Sequence, residues 1–338
     1  MDEMTKDSDN MLVDGYRRKI DYLRISITDR CNLRCVYCMP AEGIDLIKSA
    51  NILRYEEIIR LVRIAARRGV SKVRVTGGEP LVRKGIIDFL SELNSIEGVN
   101  DLSLTTNGVL LAKMAGELAA SGLKRVNVSL DSLKPDRFEK MTRGDNLGDV
   151  LNGLKAAEGA GLSPVKINMV VIKDFNEDEI IDFARMSIDN PYHVRFIEYM
   201  PFDTEAGWQK DKCISAAEIK NICSEVAPLV PVSDTKGGAG PARRFKYAHA
   251  KGEIGLISPV SDHFCGSCNR LRLTADGKLR TCLFSDKEID VRTSLRDGSE
   301  DSVIEKILFQ AAIEKPERHY INENVFKRCS RTMSLIGG

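Results

Sequence analysis

The 338-residue chain lacks a charge excess: 50 lysines and arginines face 49 aspartates and glutamates, a formal net charge of +1. That balance excludes a global nucleic-acid or membrane-surface footprint, so any anion site has to come from local arginines. No apolar run approaches the roughly 18 residues of a membrane span. The first fifteen residues are polar and acidic, without the apolar stretch of a secretory signal. Residues 1–15 are expected to form a flexible N-terminal arm, and the location expected is cytoplasmic. Low-complexity tracts and a helix-turn-helix signal are missing as well, which removes the common routes to DNA binding.

What the chain does have is cysteine. Nine cysteines without an export signal point to a reducing compartment, where clustered thiols bind metal more often than they form disulfides. Six stand in two trios: Cys31, Cys35 and Cys38, spaced C-x3-C-x2-C, and Cys265, Cys268 and Cys282, spaced C-x2-C-x13-C. A structural zinc site closes with about four ligands, so each trio leaves a coordination position open. Thiolates favour iron–sulfur clusters or zinc. Three thiolates on a four-iron cluster leave one iron free to take a small molecule through amine and carboxylate groups. For the second trio, His263 offers the alternative of a Cys3His zinc site. Cys213, Cys223 and Cys329 are left over, and Cys223, on a predicted helix, reads as a small buried hydrophobe.

Tyr22–Thr28 alternates Leu23, Ile25 and Ile27 with Arg24, Ser26 and Thr28, the period of a strand. Further strands are predicted at Lys72–Thr76, Asp101–Thr105, Arg125–Leu130, Val165–Ile172 and His193–Tyr199. Helices are predicted between them at Glu56–Arg68, capped by Gly69, and at Gly85–Leu93, Leu110–Ser121, Pro135–Met141, Leu147–Gly159 and Glu177–Met186. This alternation implies parallel strands joined by right-handed crossovers, in an open doubly wound sheet or a barrel. Polar or glycine-rich segments follow most strand ends, among them Thr76–Pro80, Thr105–Gly108, Ser129–Ser132 and Glu198–Pro201. Such a ring of loops suits a (β/α) barrel.

The fold class expected is therefore α/β: an incomplete (β/α)6 TIM-like barrel over residues 16–201, carrying the first trio. The pattern changes after Pro201. Residues 203–211 look irregular, and Lys236–Pro241 reads as a loop. A helix is predicted at Ser215–Val226, strands at Arg244–Ala248 and Glu253–Ile257, and a helix at Ser302–Ala312. Residues 202–338 are expected to form a smaller α+β domain that closes the barrel's open side.

The run Cys31–Cys38, with Tyr37 before its third cysteine, follows the first strand, and Gly77-Gly78-Glu79-Pro80 follows the second. This arrangement resembles the radical S-adenosylmethionine enzymes. The resemblance implies a 4Fe–4S cluster on Cys31, Cys35 and Cys38 that binds and reduces S-adenosylmethionine to give a 5′-deoxyadenosyl radical. Such chemistry belongs to the cofactor, while the protein orients and shields it. Gly77 and Gly78 have a rationale of their own, since glycine lets backbone approach a ligand closely.

Phe264–Arg272 with Cys282, Asp29–Cys35, Arg74–Pro80 and the terminal Gly337-Gly338 narrow the likeness. From about Tyr22 to the last residue the chain resembles the GTP 3′,8-cyclase family of molybdenum-cofactor biosynthesis. The resemblance implies a second 4Fe–4S cluster on Cys265, Cys268 and Cys282 whose open iron contacts guanine. It assigns GTP contacts to Arg24, Arg74, Thr105, Lys166, Arg270, Leu271 and Arg272, and S-adenosylmethionine contacts to Tyr37, Gly78, Ser129 and Met200. It sends Gly337 and Gly338 into the active site, where with Arg270, Arg272 and the first trio they serve catalysis. The partners implied are GTP, an electron-donor protein and cyclic pyranopterin monophosphate synthase, which takes the product. A homodimer is one candidate assembly.

Each of these residues also has a plainer reading. Arg270 and Arg272 alternate, so a strand there would point both to one side, by default an exposed basic face. Arg24 and Arg74 suit structural salt bridges equally well. Lys166 lies within an apolar strand, where an isolated ammonium is costly without an anionic partner. Met200 is by default core filler, Ser129 a turn cap, and Gly337-Gly338 a frayed end. The function expected is cyclisation of GTP to (8S)-3′,8-cyclo-7,8-dihydroguanosine 5′-triphosphate, a lyase reaction. The competing readings are a peptide-modifying radical enzyme with an auxiliary cluster and a non-enzymatic zinc-binding protein.

Overall fold

The computed structural model describes residues 11–200, 210–233, 240–321 and 329–337. Its first half alternates strand and helix. The strands are β1 (Tyr22–Ser26), β2 (Lys72–Thr76), β3 (Asp101–Thr106), β4 (Arg125–Ser129), β5 (Lys166–Val171) and β6 (His193–Glu198). The helices between them are α1 (Tyr55–Arg67), α2 (Ile86–Asn94), α3 (Leu111–Ala120), α4 (Pro135–Thr142), α5 (Leu147–Gly159) and α6 (Ile180–Asp189). The six strands lie parallel and in sequence order, so this part of the alternating pattern appears as expected. Gly69 follows α1 at φ +90°, the left-handed exit that glycine adopts without strain.

One helix starts later than its sequence suggests. A short 3-10 turn, Glu177–Glu179, precedes α6. Glu179 is fully buried there, and its carboxylate accepts from Ser132 Oγ (2.8 Å) and the Leu133 N–H (2.6 Å). The glutamate ties down the loop after β4 and does not extend the helix face.

The remaining elements are α7 (Ala216–Ser224), β7 (Leu229–Pro231), β8 (Ala242–Tyr247), β9 (Glu253–Ile257), β10 (Arg270–Leu273), β11 (Lys278–Arg280), β12 (Glu288–Asp290), α8 (Arg292–Arg296), α9 (Asp301–Ile313) and α10 (Met333–Ile336). The strands among them build no sheet of their own. β9 joins β6 in parallel and β10 joins β1 in parallel. One twelve-stranded sheet results, in the order β12-β11-β10-β1-β2-β3-β4-β5-β6-β9-β8-β7. The C-terminal chain thus extends both edges of the first six strands. The physical reason is that β1 and β6 would otherwise present rows of unpaired N–H and C=O groups.

The pleat sorts side chains into two faces. Toward the helices point Leu23, Ile25, Val73, Val75, Leu104, Val126, Val128, Ile167, Met169, Val194 and Phe196, all buried in one apolar core. The opposite face carries Tyr22, Arg24, Lys72, Arg74, Ser103, Thr105, Arg125, Asn127, Lys166, Asn168, His193 and Arg195. A packed TIM interior is filled with branched aliphatic side chains. This inner face is polar and cationic, which suits a ligand and not a core.

Residues 1–10 of the expected arm lie outside the described residues, as do 203–209 and 236–239 of the two expected irregular stretches. Leu12, by contrast, is fully buried, and the buried Asp14 pairs with Arg18, so residues 11–15 pack onto the body. Cys223 is fully buried on α7, as its apolar surroundings require. Among the described residues no helix is long and apolar enough to cross a membrane.

Candidate functional site

Beyond the C-terminal end of β1 the chain forms the loop that carries Cys31, Cys35 and Cys38, three free and partly exposed cysteines. The Cys38 and Met39 N–H groups turn back onto the Cys35 carbonyl at 2.9 and 3.1 Å, which folds the C-x2-C segment on itself. The Leu33 N–H lies 3.4 Å from Cys31 Sγ, and Asn107 Nδ2 lies 3.7 Å from it. Burial pushes the Cys35 thiol well above its ordinary value, and the neighbouring Cys38 and Cys31 thiols push it further. Cys38 rises to about 12, from burial and then from Cys31. Cys31, Cys35 and Cys38 are near enough to influence one another's charge, and a bound cationic group would draw off their protons.

The turn after β2 packs directly on this loop. A Cβ on Gly77 would lie 2.7 Å from the Thr28 carbonyl oxygen, and one on Gly78 would collide with the Arg30 carbonyl. The Gly78 and Glu79 N–H groups donate to Thr28 O and Arg30 O at 2.7 and 2.8 Å. The glycines thus let two backbone segments touch, a reason independent of any ligand. Glu79 is fully buried, and its carboxylate accepts from the Leu81 N–H (2.9 Å), Thr106 Oγ1 (2.8 Å) and the Asn107 N–H (2.7 Å). Burial outweighs those bonds and raises its pKa to about 7. Tyr37 Oη donates to Asp131 Oδ2 at 2.8 Å, while Asp131 Oδ1 accepts from the Val170 N–H at 2.8 Å. Burial lifts Asp131 to about 6. Gly78, Ser129 and Met200 stand at or just past the C-terminal ends of β2, β4 and β6, and Tyr37 lies in the loop that follows β1.

A second feature lies toward the other ends of the strands. The register sets Arg272, Arg24 and Arg74 side by side across β10, β1 and β2. Burial alone would raise the Tyr22 phenol, yet the guanidinium groups of Arg74, Arg24, Arg270 and Arg272 outweigh it and lower the pKa. Next to Tyr22 opens a cavity of about 240 Å³, lined by the basic side chains of Lys72, Arg74, Arg125, Lys166, Arg195 and Arg244 and, among the described residues, by two carboxylates, Asp101 and Glu253. Both carboxylates are already engaged, Asp101 by Arg125 and Glu253 by Arg244. Lys72 pairs with Asp21 at 3.2 Å.

That leaves Arg74, Lys166 and Arg195 without an ion pair to a carboxylate among the described residues. Arg74 Nε donates to Ser103 Oγ at 3.3 Å and Arg195 donates to Asn127. Burial, then Arg195, Arg125 and Arg74, hold Lys166 down to about 7. Burial and then Arg74 lower Arg195 to about 9, and burial with Arg270 lowers Arg272 to about 10. Tyr22 Oη, Thr105 Oγ1 and Asn168 Oδ1 are buried and have no hydrogen-bond partner among the described residues. Cations that disfavour one another's charge, beside unspent polar atoms, make a receptor for a polyanion.

The second trio sits where β10 begins and β11 ends. The Cys268 N–H donates to the Cys265 carbonyl at 3.0 Å, and the antiparallel pairing Arg272↔Arg280 brings Cys268 and Cys282 to the same end of the β10–β11 hairpin. Burial would raise the Cys268 thiol, but Arg270 and Lys315 lower it to about 6. Cys265 is raised, first by burial and then by Cys282 and Cys268. His263 lies edge-on to His319, with ring centroids 5.3 Å apart, and burial holds His319 at about 4. Among the described residues no group of three or more His, Cys, Asp or Glu closes on a single metal ion.

The C-terminal tail links the two halves. α10 seats the buried Ser334 and Ile336, and Ser334 hydrogen-bonds the Cys38 thiol. Gly337, at φ +82°, offers its carbonyl to Arg272 Nη1 at 3.0 Å. A Cβ there would meet Ser26 Cβ at 2.8 Å and Thr76 Cγ2 at 3.0 Å. The described tail therefore runs from the first trio to the arginine row, while Gly338 lies outside the described residues.

Arg24, Arg74, Arg270 and Arg272 come together around Tyr22, and Lys166 lies in the adjoining cavity. Leu271 points the other way, into the apolar core, so only its backbone faces the site. Lys72, Arg125 and Arg195 were not anticipated as site residues. Their signal was present in the sequence as charged residues at alternate positions of strands whose other face is aliphatic.

Two family models divide the chain. The Radical SAM superfamily model matches residues 25–187, and the Molybdenum Cofactor Synthesis C model matches residues 192–321. The GTP 3′,8-cyclase of Pelotomaculum thermopropionicum is 49% identical over 326 residues, covering 96% of this chain and 99% of that protein. The enzyme of the same name from Thermodesulfovibrio yellowstonii is 51% identical over 327 residues, covering 96% of this chain and 99% of its own. Among solved structures, Streptococcus suis SuiB superposes with a TM-score of 0.63 at 16% identity, over 89% of this chain and 68% of that one. Its S-adenosylmethionine complex gives 0.61 at 16% identity, over 90% and 70%; at such identity the likeness shows the fold alone. With relatives of that name matched at about half identity along almost their full length, the chain belongs to the GTP 3′,8-cyclase family of radical S-adenosylmethionine enzymes.

Proposed function

We propose that this protein converts GTP to (8S)-3′,8-cyclo-7,8-dihydroguanosine 5′-triphosphate, the first step toward molybdopterin. We read its first six strands as an incomplete (β/α)6 barrel, residues 16–201, and residues 202–338 as the part that completes the wall. The observation that carries the reading is the continuous cationic surface, from the cavity around Lys166 and Arg195 through Arg74 and Arg24 to Arg272 and Arg270 beside the second trio. A nucleoside triphosphate carries about four negative charges, and guanidinium groups grip phosphate oxygens in pairs. The cavity end suits the triphosphate, and the cysteine end suits the base. The peptide-modifying and zinc-protein readings leave this surface without a use.

Cys31, Cys35 and Cys38 would hold one 4Fe–4S cluster, and Cys265, Cys268 and Cys282 a second. The chemistry the first supplies when bound is reductive cleavage of S-adenosylmethionine to the radical that removes hydrogen from ribose C3′. Everything else falls to the chain's own residues. Tyr37, held by Asp131, and the Gly78, Ser129 and Met200 strand ends would seat S-adenosylmethionine. Lys166, Arg195, Arg74 and Arg24 would fix the triphosphate, and Arg270 and Arg272 would orient the base end. Gly337 on Arg272 holds the tail across the site and keeps water away. Holding C3′ and C8 of one nucleotide in fixed register makes ring closure effectively unimolecular.

The test is an anaerobic assay of reconstituted, reduced protein with GTP and S-adenosylmethionine. Formation of 5′-deoxyadenosine together with the cyclised nucleotide is expected. Absence of both from protein that carries iron on both trios overturns the reading. An electron-donor protein and cyclic pyranopterin monophosphate synthase are the partners this activity calls for.

A further inference from the structure

Lys315 lies just past α9 and is buried, an unusual position for an ammonium group. Its Nζ donates to the Arg270 carbonyl at 2.9 Å and to the Thr281 carbonyl at 2.7 Å, and it hydrogen-bonds the Cys268 thiol. An ammonium has about three donors, so all are spent. The partners are not random. Arg270 follows Cys268 by two residues and Thr281 precedes Cys282, so one side chain ties together both strands of the hairpin that carries two thiols of the second trio.

The residues after Lys315 complete the grip. The His319 N–H donates to the Cys265 thiol. Arg18, itself paired with buried Asp14, donates to the Cys265 carbonyl at 2.7 Å, to the Glu317 carbonyl at 2.8 Å and to the Pro316 carbonyl at 2.6 Å. Arg18 thus clamps the Cys265 turn to the very segment that delivers Lys315.

We propose that Lys315 is a positioning residue for the second metal centre: it holds Cys268 and Cys282 in place and puts one buried positive charge beside the group they bind. The inference rests on the reading that this trio holds an iron–sulfur cluster. Adding one electron makes such a group more negative, and a buried ammonium favours that state. The uncharged variant should therefore be harder to reduce.

The experiment uses the full chain with Cys31, Cys35 and Cys38 replaced by serine, so that all bound iron belongs to the second trio. Iron and sulfide per chain are measured after anaerobic reconstitution, and the reduction potential is read by electron paramagnetic resonance in a mediated dithionite titration. Lys315→Gln is expected either to lose more than half of the iron or to become at least tenfold harder to reduce, a drop of about 59 mV for one electron. Iron and potential both unchanged overturn the proposal. Lys315→Arg keeps the charge, and a potential close to the parent's is expected; a drop matching that of Lys315→Gln overturns the role of charge. Circular dichroism checks each fold, and should Lys315→Gln unfold, the arginine variant decides alone, parental iron and potential supporting the proposal and loss of either overturning it. If the parent with the first trio replaced binds no iron, it is the two-cluster reading that fails, a result distinct from a cluster that ignores Lys315.

Discussion

Removing the charge of Lys166 tests the basic cavity most directly, because the structure gives both the size and the sign of the effect. Burial and the neighbouring Arg195, Arg125 and Arg74 bring this lysine from an ordinary 10.5 to about 7. The difference amounts to about 5 kcal/mol against the charged form. A bound triphosphate reverses the balance, since each phosphate oxygen favours the ammonium. Binding must then take up a proton wherever free Lys166 is neutral. At pH 8 about nine tenths of it is neutral, so affinity should fall about tenfold between pH 6 and pH 8.

Calorimetric titration with GTP, in two buffers of different ionisation enthalpy, counts the protons. Close to one proton should be taken up at pH 8 and about half of one at pH 7. GTP's own phosphate, with a pKa of about 6, acts in the opposite sense and is common to wild type and variant. In Lys166→Gln that uptake should be lost, leaving only the contribution of the phosphate. The variant's affinity should be about 10- to 100-fold weaker at pH 6, the loss of one charge-assisted bond, and nearly that of wild type above pH 8. Equal proton uptake by wild type and Lys166→Gln would refute the argument.

Three further outcomes follow from the geometry. Gly78→Ala drives a Cβ into the Arg30 carbonyl; because the obstacle is backbone, a loss of about 2–4 kcal/mol in thermal stability is expected, with iron missing from the first trio only. Gly337→Ala meets Ser26 and Thr76 at a positive φ, so it should displace the tail and lower kcat at least tenfold while GTP binding, followed by calorimetry, stays within about twofold. Cys268→Ser should spare iron at the first trio, seen as retained cleavage of S-adenosylmethionine, yet impair GTP turnover; full cyclase activity would remove the second trio from the reaction.

The first six strands were legible because each has one aliphatic and one polar face and a helix between it and the next. β11 and β12 were not, being only 3 residues each, and β10, at 4 residues, showed only as the alternation of Arg270 and Arg272. So short a strand carries almost no period, and its partner is far away in sequence. Lys166 stood out as a charge inside an apolar strand. Lys72 and Arg195 did not, since a charged residue at an alternate position reads equally as a solvent-facing one. The cysteine spacings revealed the two trios, whereas the grip of Lys315, the Ser334–Cys38 contact and the Gly337–Arg272 bond depend on tail segments that fold back across the sheet.

The strand order also sets a timetable. Asn269, on the threshold of β10, donates to Asp21, on the threshold of β1, across 248 residues of chain. At about 5–20 residues per second, a ribosome needs roughly 12–50 s to travel that distance. For most of that interval the nascent chain holds its first thiol loop beside an unpaired β1 edge, with Arg24 and Arg74 already present and Arg270 and Arg272 not yet made. A message cut short between β2 and β10 would leave a thiol trio with no arginine wall opposite it and an open strand edge that invites aggregation.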